Sequence, residues 1–348
     1  MAQPAAARAM ILAGGMSTRL YPLTKHLPKP LVPVAGEPIS GNVMRWLASF
    51  GYREVAINVF YLADAVRAAF GDGSAFDVKL EYLNERELTG SAGALKQMEG
   101  WFDGTFVVVG CDDLTDADLA SLVRFHRQRG ALATIGLVEA ERVDQYGVVV
   151  TAPDGRITGF QEKPAPGTER SHFVNTGIYV FEPAIFGRIP AATFYDFGKQ
   201  VFPELLADGL PFYALPLDGA YWRDVGTLDE YRCANVDVLE GRVNLLSGRR
   251  NGAPPDAEVG SGTTIEGEVR IGARASLGTG ARIIGPTVLG DDVHIGEGAR
   301  VEGTIIWDRV RIGAQAVLRD TIVGDDYVVA DGVVLEDAVV ANELEAAR

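Results

Sequence analysis

The stretch Ile271-Gly-Ala-Arg-Ala-Ser-Leu-Gly-Thr-Gly-Ala-Arg-Ile283 places an aliphatic residue at every sixth position, with glycine directly behind two of the three. The same interval runs unbroken through Val259, Ile265, Ile271, Leu277, Ile283, Leu289, Ile295 and Val301, and after a shortened step through Ile306, Ile312 and Leu318. A hexad fits neither a helix stripe of period 3.6 nor a heptad. It fits a solenoid in which each hexad forms one short strand and a turn, its aliphatic side chain points inward, and three faces close one coil. Gly260, Gly272, Gly278, Gly290, Gly296 and Gly313 are expected to supply unusual backbone angles. A flexible glycine-rich tail would carry no such register. Residues 254–348 are therefore expected to form a prism of about five coils.

Working toward the N-terminus, the texture changes to short apolar runs alternating with longer amphipathic ones: Ala9–Ala13, Ile39–Phe50, Glu54–Val59 and Ala63–Phe70. This is the strand-helix alternation of an α/β domain with a Rossmann-like, mixed but mostly parallel sheet. Thr105-Phe-Val-Val-Val-Gly110 is the most apolar run and predicts a central strand, followed by an acidic turn and a helix over 116–128. Between Gly147 and Phe181 the pattern becomes hairpin-like, with a turn at Pro153-Asp-Gly155, and a last helix is expected over Leu228–Leu239. The domain expectation is thus 1–240 and 254–348.

Composition narrows the function. The chain has 348 residues, 47% apolar, and a net charge of −15, so it repels polyanions and no nucleic-acid partner is expected. No run approaches the roughly 18 apolar residues that span a bilayer, so no membrane partner is expected either. Cys111 and Cys233 suit a reducing, cytoplasmic setting better than a disulfide framework. The alanine-rich residues 1–8 read as a frayed N-terminus.

Against that acidic background, Leu12-Ala-Gly-Gly-Met-Ser-Thr-Arg-Leu-Tyr-Pro-Leu-Thr-Lys-His-Leu-Pro-Lys-Pro-Leu31 leaves a strand through glycines and gathers Arg19, Lys25 and Lys29. Backbone N–H groups freed by Gly14 and Gly15 can cradle phosphates, Arg19 offers a planar fork, and the flanking prolines stiffen the chain at Lys29. Neither a P-loop nor a dinucleotide fingerprint stands here.

The segment resembles the signature Leu-Ala-Gly-Gly-x-Gly-Thr-Arg-Leu … Pro-Lys-Pro of the sugar-phosphate nucleotidyltransferases, a likeness spanning roughly Ala9 to Asn235. The hexads resemble the left-handed parallel β-helix of hexapeptide repeats that many of those enzymes carry. Ser17 departs from the signature by replacing its third glycine; if the backbone there needs φ > 0, serine adds about 1–2 kcal/mol of strain.

The resemblance implies a site residue by residue. Leu12, Ala13, Gly14, Gly15, Thr18, Gly90 and Gly93 would bind the nucleotide, the last two in Leu88-Thr-Gly-Ser-Ala-Gly-Ala-Leu95. Gly147, Glu162 and Lys163 of Gln161-Glu-Lys-Pro164, and Asn175 and Gly177 of Asn175-Thr-Gly-Ile-Tyr179, would bind the sugar phosphate. Asp112 and Asp224, the latter in Tyr221-Trp-Arg-Asp-Val-Gly-Thr227, would share one Mg2+, with Asp113 a rival by sequence alone. Arg19 would neutralise leaving pyrophosphate and Lys29 would orient the attacking phosphate.

The implied reaction joins a nucleoside triphosphate to a sugar 1-phosphate without an enzyme nucleophile. Ser91 in the glycine loop, Asp196-Phe-Gly-Lys199 and the appended hexads look most like mannose-1-phosphate guanylyltransferases, which use GTP; UTP, dTTP or ATP with glucose 1-phosphate is the alternative. A noncatalytic nucleotide-sugar-binding subunit is the reading from another class, disfavoured because Arg19 and both aspartates are present. His294 is the one histidine of the hexads and gives little support to an acyl-transfer site there, so that domain is expected to serve assembly, as a homo-oligomer.

Overall fold

The computed structural model describes residues 7–245 and 252–342; residues 1–6, on which most of the frayed N-terminal reading falls, lie outside that range. In chain order the first elements are β1 (Arg8–Leu12), the hairpin β2 (Pro33–Val34) and β3 (Glu37–Pro38), α1 (Ile39–Ser49), β4 (Glu54–Val59), α2 (Ala63–Phe70), β5 (Lys79–Asn84) and α3 (Gly90–Gln97). Then follow β6 (Phe106–Gly110), β7 (Asp113–Thr115), α4 (Leu119–Arg129), β8 (Ala133–Glu139), β9 (Gly147–Thr151), β10 (Ile157–Glu162) and β11 (Phe173–Phe181). The pass ends with a π-helical turn at Phe197–Val201, α5 (Phe202–Ala207), β12 (Phe212–Pro216), β13 (Trp222–Asp224) and α6 (Leu228–Glu240). The chain divides into two compact units, one holding the chain to Met16 and Val43–Asp224, the other Ser17–Asn42 and the chain from Val225 onward.

The first unit is built on a nine-stranded sheet of order β10-β9-β11-β6-β1-β4-β5, with β8 paired to β11 and β12. Its β6-β1-β4-β5 half is parallel, whereas β11 runs antiparallel to β6, β8 and β9. Phe106, Val107, Val108 and Val109 are wholly buried, which is what a central strand covered on both faces requires. Beneath the far half lies an aromatic stack in which Phe197 meets Phe181 at 5.2 Å and Phe202 at 5.7 Å, and Phe202 meets Phe212 at 5.2 Å. Stacked pairs of this kind add about 0.5–1.5 kcal/mol each beyond their buried area, so the turn carrying Phe197 is anchored from below. Helix α4 starts on the Asp118 side chain, which accepts from Ser121 N at 3.1 Å, and stops at left-handed Gly130.

In the second unit, fifteen short strands from Glu258–Val259 to Val339–Val340 form three five-stranded parallel sheets, each strand pairing with the third strand along: a β-helix. The inward aliphatics form its core, and Ile271, Leu277, Ile283, Leu289, Ile295, Val301, Ile306, Ile312 and Leu318 are all buried, whereas Val259 and Ile265, expected inward, are exposed in the first coil, which has no coil before it among the described residues to cover them. Coils of eighteen residues give way to coils of seventeen. The shortened corners carry Thr304 and Thr321, stacked below Thr287 and all wholly buried, with the Thr287 hydroxyl accepting from Thr304 N at 3.3 Å and the Thr304 hydroxyl from Thr321 N at 3.5 Å.

One expectation about this repeat is corrected. Gly260, Gly272, Gly278, Gly290, Gly296 and Gly313 do not have positive φ. They are glycine because the next coil passes too close: a Cβ on Gly272 would stand 2.3 Å from Gly290 carbonyl carbon, and one on Gly296 2.5 Å from Ala314 N. Left-handed backbone falls instead at corners, some held by glycines such as Gly262 and Gly280 and others by Arg274, Asp292, Arg309 and Asp326, with φ of 55°, 56°, 59° and 59°. There Arg274 pairs with Asp292 and Arg309 with Asp326, so the corner alternates in charge along the prism.

The same unit contains the β2–β3 hairpin and α6. The Thr227 hydroxyl caps α6 by accepting from Glu230 N at 3.3 Å. Tyr231 OH donates to Pro33 O and accepts from Trp307 Nε1, both at 2.7 Å, and Asn235 Oδ1 accepts from Ala35 N.

Candidate active site

Strand β1 ends at Leu12, and the chain leaves it through a buried polar lattice. Ala13 N donates to Asn58 Oδ1 at 2.8 Å, and Asn58 Nδ2 donates to Glu85 Oε2 at 2.6 Å. The other Glu85 oxygen accepts from Thr89 N and Thr89 Oγ1 at 3.2 and 2.6 Å. Asn58 is 4% and Glu85 8% exposed, so these bonds are shielded from water. Gly14 packs on them: a Cβ there would lie 2.7 Å from both Asn58 Nδ2 and Glu85 Oε2. Beside Gly15 there is open space, with no atom within 4 Å of where its Cβ would stand.

Ser17, Thr18, Arg19 and Lys29 belong to the second unit. Ser17 has φ 53° and ψ 40°, so serine does carry the left-handed strain there, and its carbonyl accepts from Thr24 Oγ1 at 2.7 Å. Thr18 and Arg19 are exposed on the 3-10 turn Thr18–Leu20. Lys29 is 8% exposed and opens the turn Lys29–Leu31, with Pro28 extended at φ −68° before it and Pro30 after it.

At the end of β6 the acidic turn is better ordered than its sequence suggested. β7 and β13 form a two-stranded antiparallel ladder in which Asp224 lies opposite Asp113, Arg223 opposite Leu114 and Trp222 opposite Thr115. Asp113 is turned inward: Oδ2 accepts from Gly110 N at 3.0 Å and Oδ1 from Trp222 Nε1 at 3.0 Å. Burial first, then the charges of Asp112 and Asp224, push its carboxyl well above the usual carboxylate range. A Cβ on Gly110 would stand 2.8 Å from Asp112 Oδ1 and 2.7 Å from Asp113 Oδ2, so only glycine lets both carboxylates fold over the strand end. Asp112 and Asp224 are half-buried. Among the described residues no group of three or more His, Cys, Asp or Glu side chains forms a metal cage. The two carboxylates nevertheless offer hard oxygens of the kind that fits Mg2+ shared with ligand phosphates and water.

The glycine loop before Leu95 is the first turn of α3, and its amides are in use. Tyr195 O accepts from Ala92 N and Gly93 N, both at 3.0 Å. Gly90 has φ 79° and lies so near that a Cβ would be 2.4 Å from Tyr195 O; one on Gly93 would be 2.9 Å from Thr193 O.

On the far half of the sheet, Glu162 ends β10 with Oε2 3.3 Å from the Cβ position of Gly147 and 2.6 Å from that of Gly198. Burial and the Asp196 charge raise its carboxyl, opposed by Lys163 and Lys199. Lys163 is left-handed, φ 45°, with its amide donating to Tyr146 O. Both ends of the Asn175 amide are engaged: Oδ1 accepts from Gly177 N and Nδ2 donates to Tyr179 OH, each at 2.9 Å. Gly177, φ 80°, brings this strand against the acidic turn, its Cβ position 3.0 Å from Asp113 Oδ2. Trp222 Nε1 also donates to Thr176 O at 2.9 Å.

The first unit thus brings Leu12, Ala13, Gly14 and Gly15 together with Gly90 through Glu85 and Thr89, and Asp112 together with Asp224 and Gly177 around Asp113. Sequence reasoning missed Asn58 and Glu85, and it quoted Thr89, Asp196 and Trp222 within longer motifs without assigning them these contacts. An asparagine within the apolar run Glu54–Val59 was a usable signal for Asn58; nothing marked Trp222 as a donor to Asp113.

Two family models match: Nucleotidyl transferase over residues 8–241 and GMPPB C-terminal domain over residues 253–346. The chain is 40% identical over 250 residues to a UTP–glucose-1-phosphate uridylyltransferase of Synechocystis, covering 68% of this chain and 64% of that protein. It is 36% identical over 236 residues to a mannose-1-phosphate guanylyltransferase of Mycobacterium tuberculosis, covering 67% and 65%. It is 34% identical over 274 residues to the catalytic subunit beta of a mannose-1-phosphate guanylyltransferase of Drosophila pseudoobscura, covering 78% and 70%. The first two matches thus span just under two thirds of those relatives' lengths.

Proposed function

Because the chain belongs to the nucleotidyl transferase family, we propose that it couples a nucleoside triphosphate to a sugar 1-phosphate and releases pyrophosphate, with GTP and mannose 1-phosphate as its substrates. The observation that carries this reading is the ladder setting Asp224 opposite Asp113, beside Asp112, where central strand β6 ends. Ligands of α/β sheets gather at such strand ends. The catalytic part is assigned to residues 1–240, and the β-helix from 254 to 348 to assembly as a homo-oligomer.

Asp112 and Asp224 are the residues that would hold Mg2+, which would supply charge neutralisation to the reacting phosphates. The chain's own part is positioning. The Ala13–Gly15 turn, braced by Asn58 and Glu85, receives the triphosphate, Leu12 and Thr18 are assigned to the same nucleotide, and Gly90 and Gly93 shape the base side. Arg19 neutralises the departing pyrophosphate and Lys29 orients the attacking phosphate oxygen. Glu162 accepts from sugar hydroxyls, Lys163 balances the sugar phosphate, and Gly147, Asn175 and Gly177 shape that wall. The attacking oxygen belongs to the sugar phosphate, so the C1–O bond stays intact and anomeric configuration is retained.

The match to the GMPPB C-terminal domain and the guanylyltransferase relatives support guanine and mannose. The Synechocystis relative supports the second reading, UTP with glucose 1-phosphate. Pyrophosphate release measured with Mg2+ over GTP, UTP, dTTP and ATP against mannose and glucose 1-phosphates separates them. The highest kcat/KM is expected for GTP with mannose 1-phosphate; UTP with glucose 1-phosphate ahead would transfer the assignment, and no release with any pair would remove it.

A further inference from the structure

The turn Tyr195–Lys199 touches two segments to which the proposed function gives different substrates. Toward α3, Tyr195 O takes the amides of Ala92 and Gly93, Tyr195 N donates to Thr89 O at 2.8 Å, and Gly90 has no room for a side chain beneath Tyr195 O. Toward β10, Gly198 leaves the space that the Glu162 carboxylate fills, with 2.6 Å between Glu162 Oε2 and the Cβ position of Gly198. The contact toward α3 is made by backbone, the contact toward β10 by the carboxylate of the exposed Glu162 against Gly198, and Phe197 pins the turn into the aromatic stack below.

A single carboxylate joins the two sides. Asp196 Oδ2 accepts from Ser91 Oγ at 2.9 Å, and Ser91 Oγ in turn accepts from Phe197 N at 3.0 Å. Asp196 Oδ1 accepts from Gly198 N at 3.0 Å and Lys199 N at 3.3 Å, holding the turn in the shape that packs on Glu162. One oxygen therefore serves the nucleotide side and the other the sugar side. Hydrogen bonds to an ionised acceptor are shorter-ranged in tolerance and stronger than neutral ones, so displacement of one partner is passed to the other.

We infer that Asp196 is a positioning residue that locks the nucleotide-side helix α3, through Ser91, to the turn that places Glu162 for the sugar phosphate, so that the two substrate subsites form one mechanical unit. This rests on the proposed reaction. It gives Ser91 a task distinct from base contact: its hydroxyl is the latch.

The test is steady-state kinetics of pyrophosphate release by the full chain for wild type, Ser91→Ala, Ser91→Thr, Asp196→Ala and the Ser91→Ala/Asp196→Ala double variant, with thermal midpoints recorded for each. Ser91 is remote in sequence from Glu162, yet Ser91→Ala is expected to raise KM for the sugar phosphate as well as the triphosphate by about tenfold, the factor a charge-assisted hydrogen bond carries, with kcat changed less. Ser91→Thr restores the hydroxyl and should recover most of the loss. The double variant should be no worse than Asp196→Ala alone, because both remove one connection. Effects of the two single changes that multiply, or a Ser91→Ala effect confined to the triphosphate KM in a normally folded protein, would overturn the inference while leaving the proposed reaction standing. A wild-type chain inactive with every substrate pair would remove the reaction and this coupling with it.

Discussion

Asp224 faces Asp113 across the short β7–β13 ladder, and the buried Asp113 carboxyl is held there by Gly110 N and Trp222 Nε1. Its neighbour Asp112 and its partner Asp224 thus keep their carboxylates at the strand end while Asp113 is spent inside. The expected hierarchy follows. Asp224→Asn and Asp112→Asn should lower kcat of pyrophosphate release by about 100-fold or more with little change in thermal midpoint. Asp113→Asn loses one of two acceptors and should cost about 1–3 kcal/mol of stability, partly offset by relief of charge crowding, with a smaller fall in kcat. Equal kcat losses at 112 and 113 with unchanged melting would reverse the roles given to the two neighbours.

Asn58 and Glu85 make a second prediction, aimed at the triphosphate. Asn58→Ala strands Ala13 N and leaves Glu85 with one donor fewer in a dry site. A stability loss of about 2–3 kcal/mol is expected from denaturant titration, together with a rise in triphosphate KM of about tenfold because the Gly14–Gly15 turn loses its brace. Asn58→Asp should do worse than Asn58→Ala, since it sets a second carboxylate against Glu85 Oε2. If Asn58→Asp instead binds triphosphate normally, the lattice does not brace the turn.

Asp325 in the β-helix makes a pH-dependent prediction. Its Oδ1 accepts from Asp308 N at 2.9 Å, and burial, then the Asp308 charge, push its carboxyl up to about 6 from the ordinary 3.8, although Arg309 nearby opposes the shift. The folded chain therefore holds this proton more tightly than the unfolded chain, and stability from this group is full below about pH 4 and lost as pH rises through 6. Asp325→Asn keeps the acceptor and removes the charge. It should stabilise the β-helix at pH 8 by about 1–2 kcal/mol, a figure discounted for the third of the side chain that is exposed, and the gain should vanish below about pH 4. Asp292 and Asp326, held down by Arg274 and Arg309, have the opposite dependence and are common to both proteins, so the difference reports Asp325 together with its charge contact to Asp308. A gain that persists at pH 4 would mean that charge is not its cause.

How much of this was legible in the residues depends on whether a signal is periodic. The inward aliphatics of the hexads and the apolar Phe106–Val109 run are repeated or contiguous, so both the β-helix and the central strand could be read directly. The β7–β13 ladder could not: three residues per strand, with one aspartate at an end of each, carry no alternation, and the pairing depends on chain segments far apart. The likeness to a known signature pointed to Asp112 and Asp224 as partners, but gave no hint that Asp113 would be consumed by Trp222. Likewise Ser91 and the Asp196 segment stand out in the sequence one by one, but only the fold brings the two side chains to 2.9 Å. Polar lattices are specified by geometry in three dimensions, and sequence spacing does not encode them.

The glycines of the hexads show the same limit and allow it to be measured. Sequence alone cannot tell a glycine needed for positive φ from one needed for close approach, and the β-helix contains both. Gly262 has φ 73° with nothing within 4 Å of its Cβ position, whereas Gly272 is not left-handed but would drive a methyl group to 2.3 Å from the Gly290 carbonyl. Gly262→Ala should cost about 1–2 kcal/mol, the left-handed penalty that Arg274 and Asp292 already tolerate at their own corners. In Gly272→Ala the clash is with backbone held in a parallel ladder, which cannot rotate away, so the loss should reach about 3 kcal/mol or more and spread to the paired coil. Denaturant unfolding of the two variants, with hydrogen exchange at Leu289 and Gly290, distinguishes them. Equal costs, or normal protection at Gly290 in Gly272→Ala, would show that the coils yield and that coil-to-coil contact is not what selects glycine behind the aliphatic positions.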